Sequence, residues 1–257
     1  MIHRDDRDGI AVLTLDHGKA NAVDIELFEA LGEHLDNLET DDARAVVLTG
    51  AGSSFSAGVD LFRVLDGGAD YLDHFLGALS STVERLFAFH KPVVAAVNGH
   101  AIAGGCILAL ACDRRVATNA KAKLGVSELK VGVPFPVAPL EILRYHLPNA
   151  VVQDLVLTGR LLDPDEALAL GLVEELAEPD AVLDRALRIA GSLARIPDGT
   201  FALTKHQLRQ DALEAIRRHS SELDGEILRQ WSEPATLDVI RGFVEATVGK
   251  NTRGDRS

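Results

Sequence analysis

Short apolar runs alternate with amphipathic helical patterns along most of this 257-residue chain. Runs of strand length lie at Ile10–Leu15, Ala45–Thr49 and Val93–Val97. After the first of them, apolar residues recur at helical spacing behind Asp24, which predicts a helix capped by that carboxylate. Strands that alternate with helices at this spacing predict an α/β core.

The segment Gly104–Cys112 is apolar on all sides, which predicts a helix buried on every face. From about Pro179 onward the strand patterns stop and only helical patterns remain. These helices would not form a stable globular unit alone, so we expect them to pack on the core or on a neighbouring subunit. The patterns run through Ala181–Ala194, Thr200–Ile216, Ser220–Trp231 and Ala235–Val248.

The charge balance bears on which partners the protein can have. The formal net charge of −13 repels nucleic acid and anionic membranes, so we expect neither as a partner. The N-terminal residues lack an apolar signal region and the apolar stretches are too short to span a bilayer, which predicts a cytoplasmic protein. Cys106 and Cys112 are predicted to be buried thiols. No histidine spacing suggests a metal site.

Three glycine-containing segments carry the chemistry that the sequence suggests: Phe55–Leu61, Asn98–Cys106 and Gly125–Pro134. Each of the first two places small residues between a strand and a helix start, where backbone N–H groups are free. Glycine lets the backbone come close to a ligand. Two such N–H groups that converge on one point would form an oxyanion hole.

In their order and spacing these segments, together with Ala20–Ala22 and Asp163–Val173, resemble the crotonase family of enoyl-CoA hydratases and isomerases. The resemblance covers nearly the whole chain. It implies an α/β fold, a spiral of ββα units followed by a helical trimerisation region. It places the spiral core with its acyl-CoA site at residues 1–195 and the helical oligomerisation region at residues 196–257. It also implies a homotrimer or a dimer of trimers.

The resemblance assigns the oxyanion donors to the backbone N–H groups of Val59 and Gly104. By the same resemblance, the backbone around Ala20, Ala22, Ala57 and Gly58 holds coenzyme A. The acyl-CoA thioester is then the substrate, and no separate cofactor is expected.

Hydratases of this family carry two glutamates around a water molecule, because one deprotonates the water and the other delivers a proton. The second glutamate matches Glu128, but Ile107 stands at the position of the first. This pattern is similar to that of the isomerases that move a double bond from Δ3 to Δ2, in which one base suffices. Ile107 is expected to exclude water and to raise the proton affinity of Glu128. Pro136 stands where dienoyl-CoA isomerases have an acid.

Two alternatives stay open: a weak hydratase that uses Glu128 alone, and an acyl-CoA-binding protein without catalysis. Phe135 is expected either to shape the acyl pocket or to be a packing residue.

Four other charged residues also receive expectations. Asp60 is predicted to cap a helix, and Asp113 to pair with one of the two arginines that follow it. Glu141 is predicted to be solvated. Lys205 is expected either to reach a phosphate of coenzyme A or to be solvated.

Overall fold

The computed structural model describes the backbone of residues 1–254 and the side chains of residues 1–18 and 20–247. The described part contains nine strands, which we number in chain order. They are β1 (Ile2–Arg7), β2 (Ile10–Leu15), β3 (Ala45–Gly50), β4 (Ser54–Ser56), β5 (Val93–Val97), β6 (His100–Ile102), β7 (Arg114–Thr118), β8 (Leu124–Gly125) and β9 (Glu175–Ala177).

Ten α-helices lie within the described residues. They are α1 (Ile25–Thr40), α2 (Leu61–Ala88), α3 (Gly104–Ala111), α4 (Glu128–Val131), α5 (Val137–His146), α6 (Asn149–Thr158), α7 (Pro164–Ala169), α8 (Val182–Leu193), α9 (Asp198–Trp231) and α10 (Pro234–Gly254). The predicted cap of α1 is confirmed, since the Asp24 side chain accepts a hydrogen bond from the N–H of Leu27 at 2.9 Å. Helix α3 is buried along its whole length, as its composition predicts.

The main sheet has six strands in the order β1-β2-β3-β5-β7-β9, and it is parallel except for the β1-β2 pair. Both of its faces are covered, which explains the nearly continuous apolar runs of its central strands. Alternate residues such as Val12 and Val47 pack against α8, whereas Leu13 and Leu48 face the larger core beneath α1, α2 and α3.

A second, three-stranded parallel sheet has the order β4-β6-β8. Its strands are short, and each follows a strand of the main sheet and precedes a helix. The chain therefore repeats a ββα unit three times, as β3-β4-α2, β5-β6-α3 and β7-β8-α4. This arrangement confirms the predicted spiral of ββα units.

The structure differs from the sequence prediction in β1, in α9 and in the short strands β4, β6 and β8, which the sequence patterns did not predict. The charged N-terminal segment forms β1, which pairs with β2 although most of its side chains are exposed. The two helices predicted over Thr200–Ile216 and Ser220–Trp231 are one continuous helix, α9, because no helix-breaking residue separates the two apolar patterns.

Helix α9 begins at Asp198, close to the predicted boundary between residues 195 and 196, but that division stays a prediction. The last residues of the predicted oligomerisation region, 255–257, lie outside the described residues. In the described part of the chain, every helix is too short or too polar to cross a bilayer.

Candidate active site

The three glycine-containing segments of the sequence meet at one edge of the small sheet. Strand β4 leads into Ala57-Gly58-Val59, β6 leads into Ala103-Gly104, and β8 leads into Val126-Ser127-Glu128. Because the three strands are parallel neighbours, their carboxyl ends lie side by side, where ligands commonly bind in α/β proteins. Segments that are far apart in the chain therefore share one site.

The two predicted oxyanion donors lie next to each other. A Cβ atom added to Gly104 would lie 3.9 Å from the Cγ2 atom of Val59. The neighbouring Gly58 has φ +89°, and a Cβ atom there would lie 2.6 Å from the carbonyl oxygen of Ile102. Glycine is thus required where the first two segments touch.

Neither of these two N–H groups has an acceptor within the described residues. The backbone of Val23 bonds to both neighbours of Val59. The N–H of Val23 donates to the carbonyl oxygen of Gly58, and the N–H of Asp60 donates to the carbonyl oxygen of Val23. The N–H of Val59, which lies between them, has no acceptor among the described residues. Gly104 is the first residue of α3, so its N–H has no carbonyl in a preceding turn. Two unoccupied donors at one site are what an oxyanion hole requires.

The backbone at the start of α3 is strained. Ala103 has φ 49° and ψ −123°, a region that costs a residue with a Cβ atom on the order of 1–3 kcal/mol. Its N–H donates to the carbonyl of Gly125 at 2.8 Å, which holds the strained residue in place. A Cβ atom at Gly105 would collide with the carbonyl oxygen of Ser56, so α3 packs against β4 only with glycine there.

Glu128 is a buried carboxylate, 8% exposed, and not the surface charge that a lone glutamate usually is. Its Oε2 atom has no hydrogen-bond partner among the described residues. Burial raises the pKa of Glu128 to about 7, against the lowering effect of the N–H groups of Glu128 itself and of Ser127. The group can therefore accept and release a proton near neutral pH.

A cavity of about 350 Å³ joins Val59, Ala103 and Glu128. Its wall is mostly apolar, and the side chains that form it include Val131, Leu161, Trp231 and Phe243. Among the described residues that line it, Glu128 is the only carboxylate.

Two other apolar residues were expected to affect this cavity. Ile107 is 1% exposed within the core and is not among the residues that line the cavity, and its expected effect on the proton affinity of Glu128 stays a prediction. Phe135 is also a core residue, which confirms the packing alternative.

The sequence patterns did not indicate that Trp231 and Phe243 belong to the site. Trp231 ends α9, and its indole N–H donates to the carbonyl of Pro134 at 3.0 Å, so the helix is anchored to the segment that carries Glu128. Phe243 lies on α10. In the sequence both belong to ordinary amphipathic helical patterns, and only their long-range contacts distinguish them.

A second cavity of about 400 Å³ adjoins the first, since Ala57, Val59 and Phe243 line both. Three of the residues predicted to hold coenzyme A lie on its wall, namely Ala20, Ala22 and Ala57. The N–H of Ala57 donates to the carbonyl of Ala20 at 2.9 Å, which joins the two backbone segments. Gly58, the fourth, does not line this cavity, and its N–H and carbonyl are both bonded within the protein.

The predicted roles of Asp113 and Lys205 are wrong. Asp113 pairs with the buried cations Lys205 and Arg209, each at 2.9 Å, and accepts a hydrogen bond from the N–H of Val93 at 2.7 Å. Lys205 is 5% exposed, so it is neither solvated nor free to reach a phosphate. These contacts fasten α9 to the core, because an unpaired charge at such depth would be costly.

Of the remaining polar residues, Asp60 caps α2 as predicted, since its carboxylate accepts from the N–H groups of Phe62 and Arg63. Glu141 is buried and bonded to His219 and Arg144, so the expectation of a solvated side chain is wrong. Both cysteines are buried free thiols. No cluster of three potential metal ligands occurs among the described residues.

Comparison with known proteins places this site in a family. Over residues 5–245 the chain matches the family Enoyl-CoA hydratase/isomerase. A putative enoyl-CoA hydratase of Thermus thermophilus is 40% identical over 204 residues, which cover 77% of this chain and 80% of that protein. A carnitinyl-CoA dehydratase of Salmonella arizonae is 38% identical over 238 residues, which cover 91% of this chain and 90% of that protein.

Among solved structures, the apo form of an enoyl-CoA isomerase of Mycobacterium tuberculosis is 33% identical to this chain. It superposes with a TM-score of 0.78 and covers 94% of this chain and 97% of its own. The chain therefore belongs to the enoyl-CoA hydratase/isomerase family and has its crotonase fold.

Proposed function

We propose that this protein shifts the double bond of a 3-enoyl-CoA to the Δ2 position, with Glu128 as the only acid–base group. The observation that carries the proposal is the single carboxylate among the described residues that line the acyl cavity. Ile107, at the position of the first hydratase glutamate, is a core residue. A hydratase needs two groups to position water and to move its proton, whereas a double-bond shift needs one base.

The proposed reaction uses three groups of the site. Glu128 removes a proton from C2 of the thioester, and the electron pair delocalises over the dienolate onto the thioester oxygen. The free amides of Val59 and Gly104 stabilise that oxygen, and one such donor typically contributes a factor of 10² to 10³ in rate. The same carboxyl group then returns the proton at C4.

The surroundings of Glu128 suit this single-base mechanism. Burial raises the pKa of Glu128 to about 7, and the wall of the adjoining cavity, which includes Val131 and Trp231, is mostly apolar. A base with this pKa is about half ionised at neutral pH, and its conjugate acid is still strong enough to return the proton. The same wall limits the water that could add to the double bond.

Hydration or dehydration of an enoyl-CoA is the second candidate. It is favoured by the names of the relatives, one a putative enoyl-CoA hydratase and the other a carnitinyl-CoA dehydratase. In this reaction Glu128 alone would activate or release the water. If the protein only bound acyl-CoA, the buried carboxylate of Glu128 would have no function, although its burial destabilises the folded state.

A direct assay separates these candidates. The purified protein is supplied in heavy water with 3-hexenoyl-CoA or with crotonyl-CoA, and products and deuterium content are followed by mass spectrometry. The proposal predicts a 2-enoyl product from the first substrate, slow hydration of the second, and at least a hundredfold loss in Glu128→Gln. Hydration as fast as isomerisation would support the second candidate. Binding without exchange at C2 would leave the protein non-catalytic.

Three further properties belong to the proposal. The thioester carries its own coenzyme A, so no separate cofactor is required. The protein is expected to form a homotrimer or a dimer of trimers and to act in the cytoplasm.

A further inference from the structure

Lys130 is the only cation among the described residues that line the acyl cavity, whose wall is otherwise mostly apolar. Its side chain is exposed, so the ammonium keeps contact with water where the cavity meets the solvent. A small number of polar groups on an apolar wall commonly fix the orientation of a ligand and set its specificity. The reaction proposed above uses Glu128 and two backbone N–H groups, and it gives this ammonium no role.

The stem of Lys130 is held against the cavity wall. A Cβ atom added to Gly159 would lie 2.9 Å from the Cγ atom of Lys130 and 3.2 Å from its Cδ atom, so the methylene groups lie directly on the glycine. Gly159 has φ +58°, caps the carboxyl end of α6 and lines the same cavity. Lysine stems commonly cover such a surface while the charged end stays in water. The ammonium is therefore restricted to this part of the wall.

Within the described residues, the ammonium of Lys130 has no carboxylate partner. Asp154 on α6 and Glu166 on α7 both pair with Arg160 instead. Glu128 does not pair with Lys130 either, because the pKa of that carboxyl is shifted by burial and by backbone N–H groups and not by the ammonium. In a protein with a formal net charge of −13, this free cation is available for an anionic group of a ligand.

The two charged groups lie at different places in the cavity. Glu128 and Lys130 are two residues apart on α4, and side chains at this spacing do not face each other. Both nevertheless line one cavity, which therefore extends around α4 from the carboxylate to the ammonium. In the proposed reaction the thioester lies at Val59 and Gly104, and carbons C2 to C4 lie at Glu128. The part of the cavity beside Lys130 is then left for the far end of the acyl chain.

We propose that Lys130 binds a carboxylate at the far end of the acyl chain, so that the preferred substrate is the coenzyme A monothioester of an unsaturated dicarboxylic acid. The inference rests on the proposed acyl-CoA function and names the substrate class of that site. The ammonium donates charge-assisted hydrogen bonds to the carboxylate, which are stronger than those between neutral groups. An acyl chain that ends in a methyl group leaves the ammonium without a partner.

The test measures dissociation constants by calorimetry for adipyl-CoA and hexanoyl-CoA. These saturated thioesters cannot isomerise, have the same chain length and differ only in the terminal carboxylate. Lys130→Met keeps an unbranched apolar stem over Gly159 and removes the charge. This variant is expected to weaken adipyl-CoA binding about fivefold and to change hexanoyl-CoA binding less than twofold. Lys130→Glu should weaken adipyl-CoA binding further, because its charge repels the carboxylate.

Lys123→Met is the matched control. Lys123 pairs with Asp163 at 3.0 Å and is not among the residues that line the cavity. This variant loses the same charge and should bind both thioesters as wild type does.

Equal losses for the two thioesters in Lys130→Met would overturn the proposal, because the ammonium would then contact coenzyme A, which both ligands carry. Unchanged adipyl-CoA binding would also overturn it, and a changed sedimentation coefficient in that case would make Lys130 a contact between subunits. Failure of wild type to bind either thioester would remove the acyl-CoA function and this proposal together. The expected selectivity without isomerisation of 3-hexenoyl-CoA or of its ω-carboxy analogue would remove the isomerase proposal alone.

Discussion

Replacing Glu128 by glutamine should stabilise the folded protein at alkaline pH while it removes catalysis. Burial raises the pKa of Glu128 from 4.5 to about 7. At about 1.4 kcal/mol for each power of ten in proton affinity, the ionised group costs the folded state roughly 3 kcal/mol. Between these two pKa values the folded protein holds a proton that the unfolded chain releases. The free energy of unfolding therefore falls as the pH rises through this window, and the full cost is present above about pH 7.

The assay is thermal or urea unfolding of wild type and Glu128→Gln at pH 5 and at pH 8. At pH 8 the variant should melt roughly 5–10 °C above wild type, and at pH 5 most of this difference should be absent. Glu141→Gln is the matched control, because Glu141 is equally buried but bonded to His219 and Arg144. That variant should not be stabilised at pH 8. A difference between wild type and Glu128→Gln that is the same at both pH values would refute the reasoning.

Three other outcomes are expected. In the isomerase assay, kcat/KM should fall tenfold per pH unit on the acidic side of about pH 7, because the free enzyme needs ionised Glu128; a rate flat from pH 5 to 8 would contradict this. Asp113→Ala should lower the free energy of unfolding by about 3–5 kcal/mol, since it leaves two buried cations unpaired; a loss below about 1 kcal/mol would contradict the role given to this pair. Gly105→Ala should yield little folded protein, because its Cβ atom would collide with the backbone of Ser56; normal expression and melting would show that this contact relaxes easily.

Much of the candidate site could be predicted from the sequence. Small residues at the strand-to-helix turns predicted free backbone N–H groups, and the resemblance to the crotonase family assigned the oxyanion donors to Val59 and Gly104 and the base to Glu128. The short strands that bring these segments together were missed. Strand β8 consists of two residues, Leu124 and Gly125, and leaves no periodic pattern to detect.

The sequence by itself determined the central strands of the main sheet, the main helices that alternate with them and the chemistry available to the site. Apolar periodicity and caps act over a few neighbouring residues, so Ile10–Leu15, Val93–Val97 and the cap at Asp24 agree with the structure. Only the tertiary structure decided the proton affinity of Glu128 and the burial of Lys205. Both depend on how completely water is excluded, and the residues that exclude it come from helices distant in the chain.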